Sequence, residues 1–366
     1  MQGRKQDISH DNSPRNERTV FGGYEGVQTC IGIYENQFTE VPFTEEKLLE
    51  YILSPANLNR AYRQVVSNKG SSGIDGMTTD ELLFWLRVNK DELVSSLYSG
   101  TYLPNPVRRV EIPKDNGKTR PLGIPTVVDR FIQQAISQVL TLIYDRTFSR
   151  FSYGFRPGRN AHQALQQAQA IINDGYRYAV DIDLEKFFDT VHQSRLIEIL
   201  SHKIKDGRVI SLIHRFLRSG VMIGMCHEVS ETGVPQGSPL SPLLGNIMLD
   251  ELDKELERRG HPFVRYADDG LIFCRSARAA ERVQLSITRF IEARLYLRVN
   301  REKIRNGLVF GMKFLGYSFY TRQQDTCFYR IFTRKGIANK EPPYTERYVR
   351  WCERSEREII PFRLLD

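Results

Sequence analysis

Along the chain, apolar positions recur at helical spacing in several long stretches, with short alternating segments between them. Leu48, Leu49, Ile52 and Leu53 open the pattern after a Thr44 cap candidate with Glu45 and Glu46 in its first turn, and Asn57 to Val66 continues it. Val127 to Tyr144 reads as an amphipathic helix with Ile132, Ala135, Ile136, Val139, Leu140 and Ile143 on one face. Further helices are expected over Ala161 to Ile172, from the Gly233–Pro242 stretch to about Arg259, and over Ala279 to Leu295. Strands are expected where the period drops to two. Val110 and Ile112 lie before an Asp115-Asn116-Gly117 turn, with a returning strand from Arg120. Tyr178, Val180 and Ile182 alternate with Ala179, Asp181 and Asp183. Two short apolar segments, Pro262–Val264 and Leu271–Cys274, flank Asp268-Asp269-Gly270, which reads as a hairpin turn.

Composition narrows the class. The chain has 366 residues, 40% hydrophobic and 26% charged, so a sizeable buried core is expected. A formal net charge of +8 suits a polyanionic partner. The five cysteines (Cys30, Cys226, Cys274, Cys327, Cys352) form no C-x-x-C pair, which argues against a disulfide framework or a zinc site. No apolar run reaches membrane-spanning length, and a cytoplasmic protein is expected. Residues 1–42 are polar and glycine-rich and read as a flexible leader.

Chemistry concentrates in two acidic stretches. Asp268 and Asp269 are adjacent carboxylates that repel each other, and hard oxygen ligands of this kind suit Mg²⁺ or Mn²⁺. An isolated Asp-Asp is more often a solvated turn, but Asp183 ends a strand upstream and can complete a two-metal site for phosphoryl transfer. Asp181 shares its strand face and is an auxiliary acid candidate; Asp189 reads as a helix cap. Lys114 and Arg120 flank the Asp115-Asn116-Gly117 turn and can converge on one anion. Gly233–Pro242 carries a Pro-Gln-Gly-x-x-x-Ser-Pro core, in which Gly237 permits close backbone approach of a nucleic acid or nucleotide.

These motifs, in this order, resemble the reverse transcriptases of the bacterial group II intron type. The likeness covers about residues 43–320 and includes a glycine-rich loop, Lys69–Met77, and a primer-grip sequence, Phe314–Phe319. It implies an α+β right-hand polymerase, with fingers and N-terminal helical extension at 43–175 and a split βαβ palm at 176–320. A basic C-terminal segment at 321–366 would be a short or incomplete thumb. It implies template-directed addition of dNTPs to a DNA or RNA primer on an RNA template, with group II intron RNA as the expected partner. Asp183, Asp268 and Asp269 would hold two Mg²⁺, with Mn²⁺ a possible substitute. Lys114 and Arg120 would bind triphosphate, and Gln236 would lie against the templating pair. Phe188, five residues past Asp183, would exclude a ribose 2′-hydroxyl, and Lys303 would protonate the leaving pyrophosphate. Arg156 and Arg159 either touch template phosphate or brace their loop, and bracing is favoured. Two other roles compete: a splicing cofactor (maturase) that no longer polymerises, and a reverse transcriptase recruited to host defence.

Overall fold

The computed structural model describes residues 46–113, 119–224, 226–321 and 327–331, with the side chains of Arg120, Thr321 and residues 327–331 left aside. The leader, Thr44, Lys114 and the basic run from Arg334 lie outside the described residues. The N-terminal half comprises α1 (Leu48–Ile52), α2 (Pro55–Ser67), α3 (Leu82–Tyr98), the hairpin β1 (Val107–Pro113) and β2 (Thr119–Ile124), α4 (Val127–Tyr144) and α5 (Ala161–Asn173). Next come β3 (Tyr178–Ile182), α6 (Phe187–Thr190), α7 (Gln193–Lys203), α8 (Gly207–Arg218), β4 (Val221–Ile223), β5 (Cys226–Glu228) and α9 (Ser241–Arg258). The last elements are β6 (Phe263–Tyr266), β7 (Asp269–Cys274), α10 (Ala277–Arg294), β8 (Arg305–Leu308), β9 (Lys313–Phe314), β10 (Tyr317–Thr321) and β11 (Cys327–Ile331).

The sequence pattern ran α1 and α2 together, but Ser54 separates them. Its hydroxyl accepts the Asn57 N–H, and Pro55 follows at the first helical position, where its missing donor is harmless. Asn57 then ties α2 to α4: its amide donates to the Ala135 carbonyl at 2.9 Å and its side-chain oxygen accepts from Gln138. Helix α3, with Leu82, Leu86, Leu93 and Leu97 buried, is not among the expected elements although its spacing is helical.

The central sheet has strand order β6-β7-β3-β8, every neighbouring pair antiparallel. Read in chain order this is the split βαβ arrangement, with the hairpin β6–β7 inserted beside β3. Both faces are covered. Val180, Ile182, Phe263 and Ile272 face the large core that includes Leu244 and Ile247 of α9 and Ile287 and Ile291 of α10. Ala179, Val264, Leu271 and Phe273 face a smaller core with α5 and the β9–β10 hairpin. Thus α5 packs on this sheet, although the expected division at residue 175 sets it with the fingers. The fingers sheet likewise draws in later chain: β4 runs parallel to β1, with Val107 opposite Val221, giving the order β2-β1-β4-β5.

Candidate active site

Strand register brings the acids together. Ile182 of β3 lies opposite Gly270 of β7, so the next residue on each strand is Asp183 facing Asp269. Alternation puts Asp181 on the same face one pair deeper, opposite Leu271. The hairpin turn is not Asp-Asp-Gly as the sequence reads. Tyr266 pairs with Asp269, so the two-residue turn is Ala267-Asp268, and Asp269 and Gly270 already belong to β7. Ala267 carries a φ of +56°, which costs strain in any residue but glycine and holds only where the surroundings enforce it. One enforcing contact is Gly154: a Cβ there would fall 2.2 Å from the Ala267 nitrogen, so only glycine lets that loop back the turn.

The carboxylates feel one another strongly. Asp269 is open to solvent at the hairpin tip, yet its pKa is pushed up to about 7, first by desolvation and then by Asp268, Asp181 and Asp183. The like charges of Asp268, Asp181 and Asp183 alone would push it in this direction. Asp181 rises to about 6, from burial first and Asp183 second. The counter-charge is Lys303, whose ammonium donates to Asp183 Oδ2 at 3.2 Å. It arrives because residues 298–303 run beside 183–185: Arg298 O accepts from Glu185 N, and Asn300 N donates to Asp183 O. Lys303 is therefore an ion-pair partner of Asp183 in this state. The donor set is oxygen-only and anionic, which fits Mg²⁺ or Mn²⁺. Among the described residues no three such side chains close on a single point, so the acids face one another without forming a cage.

Around the acids, the expected residues fall as follows. Phe187 is buried and Phe188 half-buried, their rings 5.0 Å apart edge to face. A methyl on Gly245 of α9 would come 3.2 Å from the Phe188 ring, so this glycine makes its seat. Asp189 is the third residue of α6 and makes no cap bond; Lys186 occupies the cap position instead, in the left-handed region at φ +45°. Gln236 and Gly237 clasp the fingers hairpin. Gln236 O accepts from Gly123 N at 2.7 Å, and a Cβ on Gly237 would sit 2.4 Å from Gly123 O. The close approach that Gly237 permits is thus to strand β2 of the same chain. Of the triphosphate clamp, Lys114 lies outside the described residues, as does the Arg120 side chain; the Arg120 backbone pairs with Ile112.

Arg156 is a brace. It is buried against Asp145 at 2.6 Å and donates to the Ser149 and Ser152 carbonyls. Phe314 and Tyr317 close the β9–β10 hairpin expected at the primer-grip sequence, through Leu315 and Gly316 at positive φ. One contributor was missed by motif reading: Arg265. For Arg265 a signal existed, a charge inside an otherwise apolar strand next to the paired acids.

Comparison with known proteins agrees. The family model described as reverse transcriptase (RNA-dependent DNA polymerase) matches residues 112–319. Protein YkfC of Escherichia coli (strain K12) is 33% identical over 310 residues, 72% of this chain and 81% of that protein. The group II intron-encoded protein LtrA of Lactococcus lactis subsp. cremoris is 40% identical over 209 residues, 57% of this chain but 35% of LtrA. A chain of a solved Cas6-RT-Cas1–Cas2 complex is 27% identical, covering 67% of this chain and 42% of its own, at a TM-score of 0.43. With paired acids and facing strand-end acid on a split βαβ sheet, and with the family model and the likeness to YkfC and LtrA, the chain belongs to the reverse transcriptases of group II intron type, a family of RNA-directed DNA polymerases.

Proposed function

We propose that this chain extends a primer 3′-hydroxyl with dNTPs on an RNA template, with Asp183, Asp268 and Asp269 as the metal-holding acids. The observation that carries the assignment is the β3–β7 register, which sets Asp183 against Asp269 at one sheet end. Two bound Mg²⁺ would supply charge stabilisation of the attacking and leaving oxygens. The chain's own part is positioning, since phosphoryl transfer needs no covalent protein nucleophile. Phe188, held in its seat by Gly245, presents a half-buried ring as the sugar screen. Lys114 and Arg120 bind the triphosphate, and Gln236, fixed through its carbonyl to Gly123, aligns the templating base. Lys303, paired with Asp183 in this structure, would serve as proton donor to pyrophosphate once released from that carboxylate. The template is group II intron RNA by likeness to LtrA, whose name describes an intron-encoded protein.

The acids support polymerisation over splicing assistance alone, because binding RNA does not require them. Primer extension on an RNA template with Mg²⁺ and dNTPs tests this. RNA-dependent synthesis is the expected result; a folded, RNA-binding protein with no extension would support the maturase role instead.

A further inference from the structure

Strand β6 places a full positive charge inside the protein directly behind the acidic turn. Arg265 is 3% exposed, and the two side chains that receive it, Asp253 and Asn246 of α9, are 0% and 1% exposed. Its Nε donates to Asp253 at 2.8 Å and its Nη2 to the same carboxylate at 2.6 Å, a bidentate pair. Its Nη1 does two further things: it donates to Asn246 Oδ1 at 2.8 Å and to the Ala267 carbonyl at 2.8 Å. Asn246 in turn donates to the Gly154 carbonyl at 2.8 Å, and Gly154 is the residue pressed against the Ala267 nitrogen. The backbone of Arg265 joins the same loop, donating to Phe151 O and accepting from Tyr153 N.

Stability alone does not call for this arrangement. A buried ion pair loses most of its Coulomb gain to desolvation, and apolar side chains of similar volume do as well or better. What an apolar residue cannot do is hold a carbonyl. The Ala267 carbonyl belongs to the peptide that enters Asp268, and Ala267 is in a conformation that relaxes unless restrained. We propose that Arg265, backed by Asp253 and Asn246, is a positioning residue that fixes the Ala267–Asp268 peptide and thereby aims the Asp268 and Asp269 carboxylates at Asp183. The inference rests on reading those acids as metal ligands. Arg265 touches neither substrate nor metal; it acts through the turn, as supporting residues do behind metal ligands elsewhere.

The test compares four variants of the full chain by Mn²⁺ titration with electron paramagnetic resonance, thermal melting and primer-extension kinetics. Arg265→Lys keeps the charge but loses the fork; Asn246→Ser leaves the Arg265–Asp253 pair intact and removes the amide link to Gly154. Both are expected to weaken Mn²⁺ binding by about 10–100-fold, and to lower kcat with little change in KM for dNTP. Arg208→Lys, at an ion pair remote from the sheet, is the control for a purely structural loss and should melt lower with wild-type Mn²⁺ affinity. Asp268→Asn separates the two readings. If it abolishes Mn²⁺ binding while folded Arg265→Lys and Asn246→Ser bind as wild type, the positioning inference is overturned and the metal assignment stands. If Asp268→Asn itself binds Mn²⁺ normally, the metal assignment fails. Should Arg265→Lys not fold, Asn246→Ser alone decides.

Discussion

The palm turn and the glycine-rich fingers loop are both held by arginines that donate to backbone carbonyls, and they differ in one respect. The palm turn at Ala267-Asp268 is held by Arg265, whose charge is cancelled by Asp253. The glycine-rich fingers loop is held by two arginines: Arg130 donates to Ser71 O at 2.7 Å and Arg108 to Ser72 O at 2.7 Å. Each loop also has a glycine pressed on backbone, Gly154 on Ala267 and Gly73 on Thr126, where a Cβ would lie 2.6 Å from the Thr126 Cα. Among the described residues no carboxylate bonds Arg130 or Arg108, and the buried Arg130 Nε has no partner. Burial pulls the Arg130 pKa down, with Asp75 opposing it electrostatically and Arg108 adding to it. The palm turn is therefore fixed by a neutral, closed unit, as a site requiring set carboxylate positions needs. The fingers loop is fixed by cations that no carboxylate bonds among the described residues, with Asp75 acting on Arg130 only through space.

The largest effect should come from removing the turn's purpose. Asp268→Asn is expected to abolish primer extension while melting within a few degrees of wild type; extension at the wild-type rate would remove Asp268 from the metal site. Next is the comparison itself. Arg265→Met strands Asp253 in the core and should cost about 3–5 kcal/mol in urea denaturation. Arg130→Met loses a charged hydrogen bond and frees one carbonyl, about 1–3 kcal/mol. Equal losses would mean that the counter-charge is not what distinguishes the loops.

Phe188→Ala should retain some dNTP incorporation and gain ribonucleotide incorporation, read as the rNTP-to-dNTP ratio of kcat/KM. An unchanged ratio in a folded, active variant moves the gate elsewhere. Smaller again is the salt response. RNA affinity should fall steeply with salt, and Arg108→Gln should flatten the slope of log K against log salt by about 1, whereas Arg265→Lys should not.

The smallest expected effect is on α1. Asp206 accepts from Leu49 N and, with Glu50, from Arg208. Burial raises the Asp206 carboxyl, but the Arg208 and backbone hydrogen bonds outweigh it and hold it below its usual value. The Arg208 hydrogen bond does the same to Glu50. Groups with depressed folded pKa values stabilise above their unfolded pKa and lose that contribution as pH falls through the folded one. Hydrogen exchange in α1 should therefore quicken below about pH 4, before the palm sheet opens. Simultaneous opening would show that the latch is not a local one.

The sequence by itself determined the family and its reaction class. Strand alternation around Asp183, the adjacent Asp268 and Asp269, the Phe188 offset and the Gly233–Pro242 stretch are local signals, because each depends on residues within a few positions of one another. So do most helices, whose apolar faces repeat within a single segment. What only the tertiary structure decided depends on contacts far apart in sequence. The turn sits one residue earlier than its Asp-Asp-Gly composition indicates, because Gly154 and Arg265 hold Ala267 at positive φ. Gly237 serves a backbone clasp to Gly123, across more than a hundred residues. Helix α5 joins the palm sheet and β4 joins the fingers sheet, since a buried face is satisfied by whichever apolar surface meets it, regardless of order along the chain. Lys303 reaches Asp183 only because residues 298–303 run beside that strand end, and no spacing in the sequence carries the distance between them.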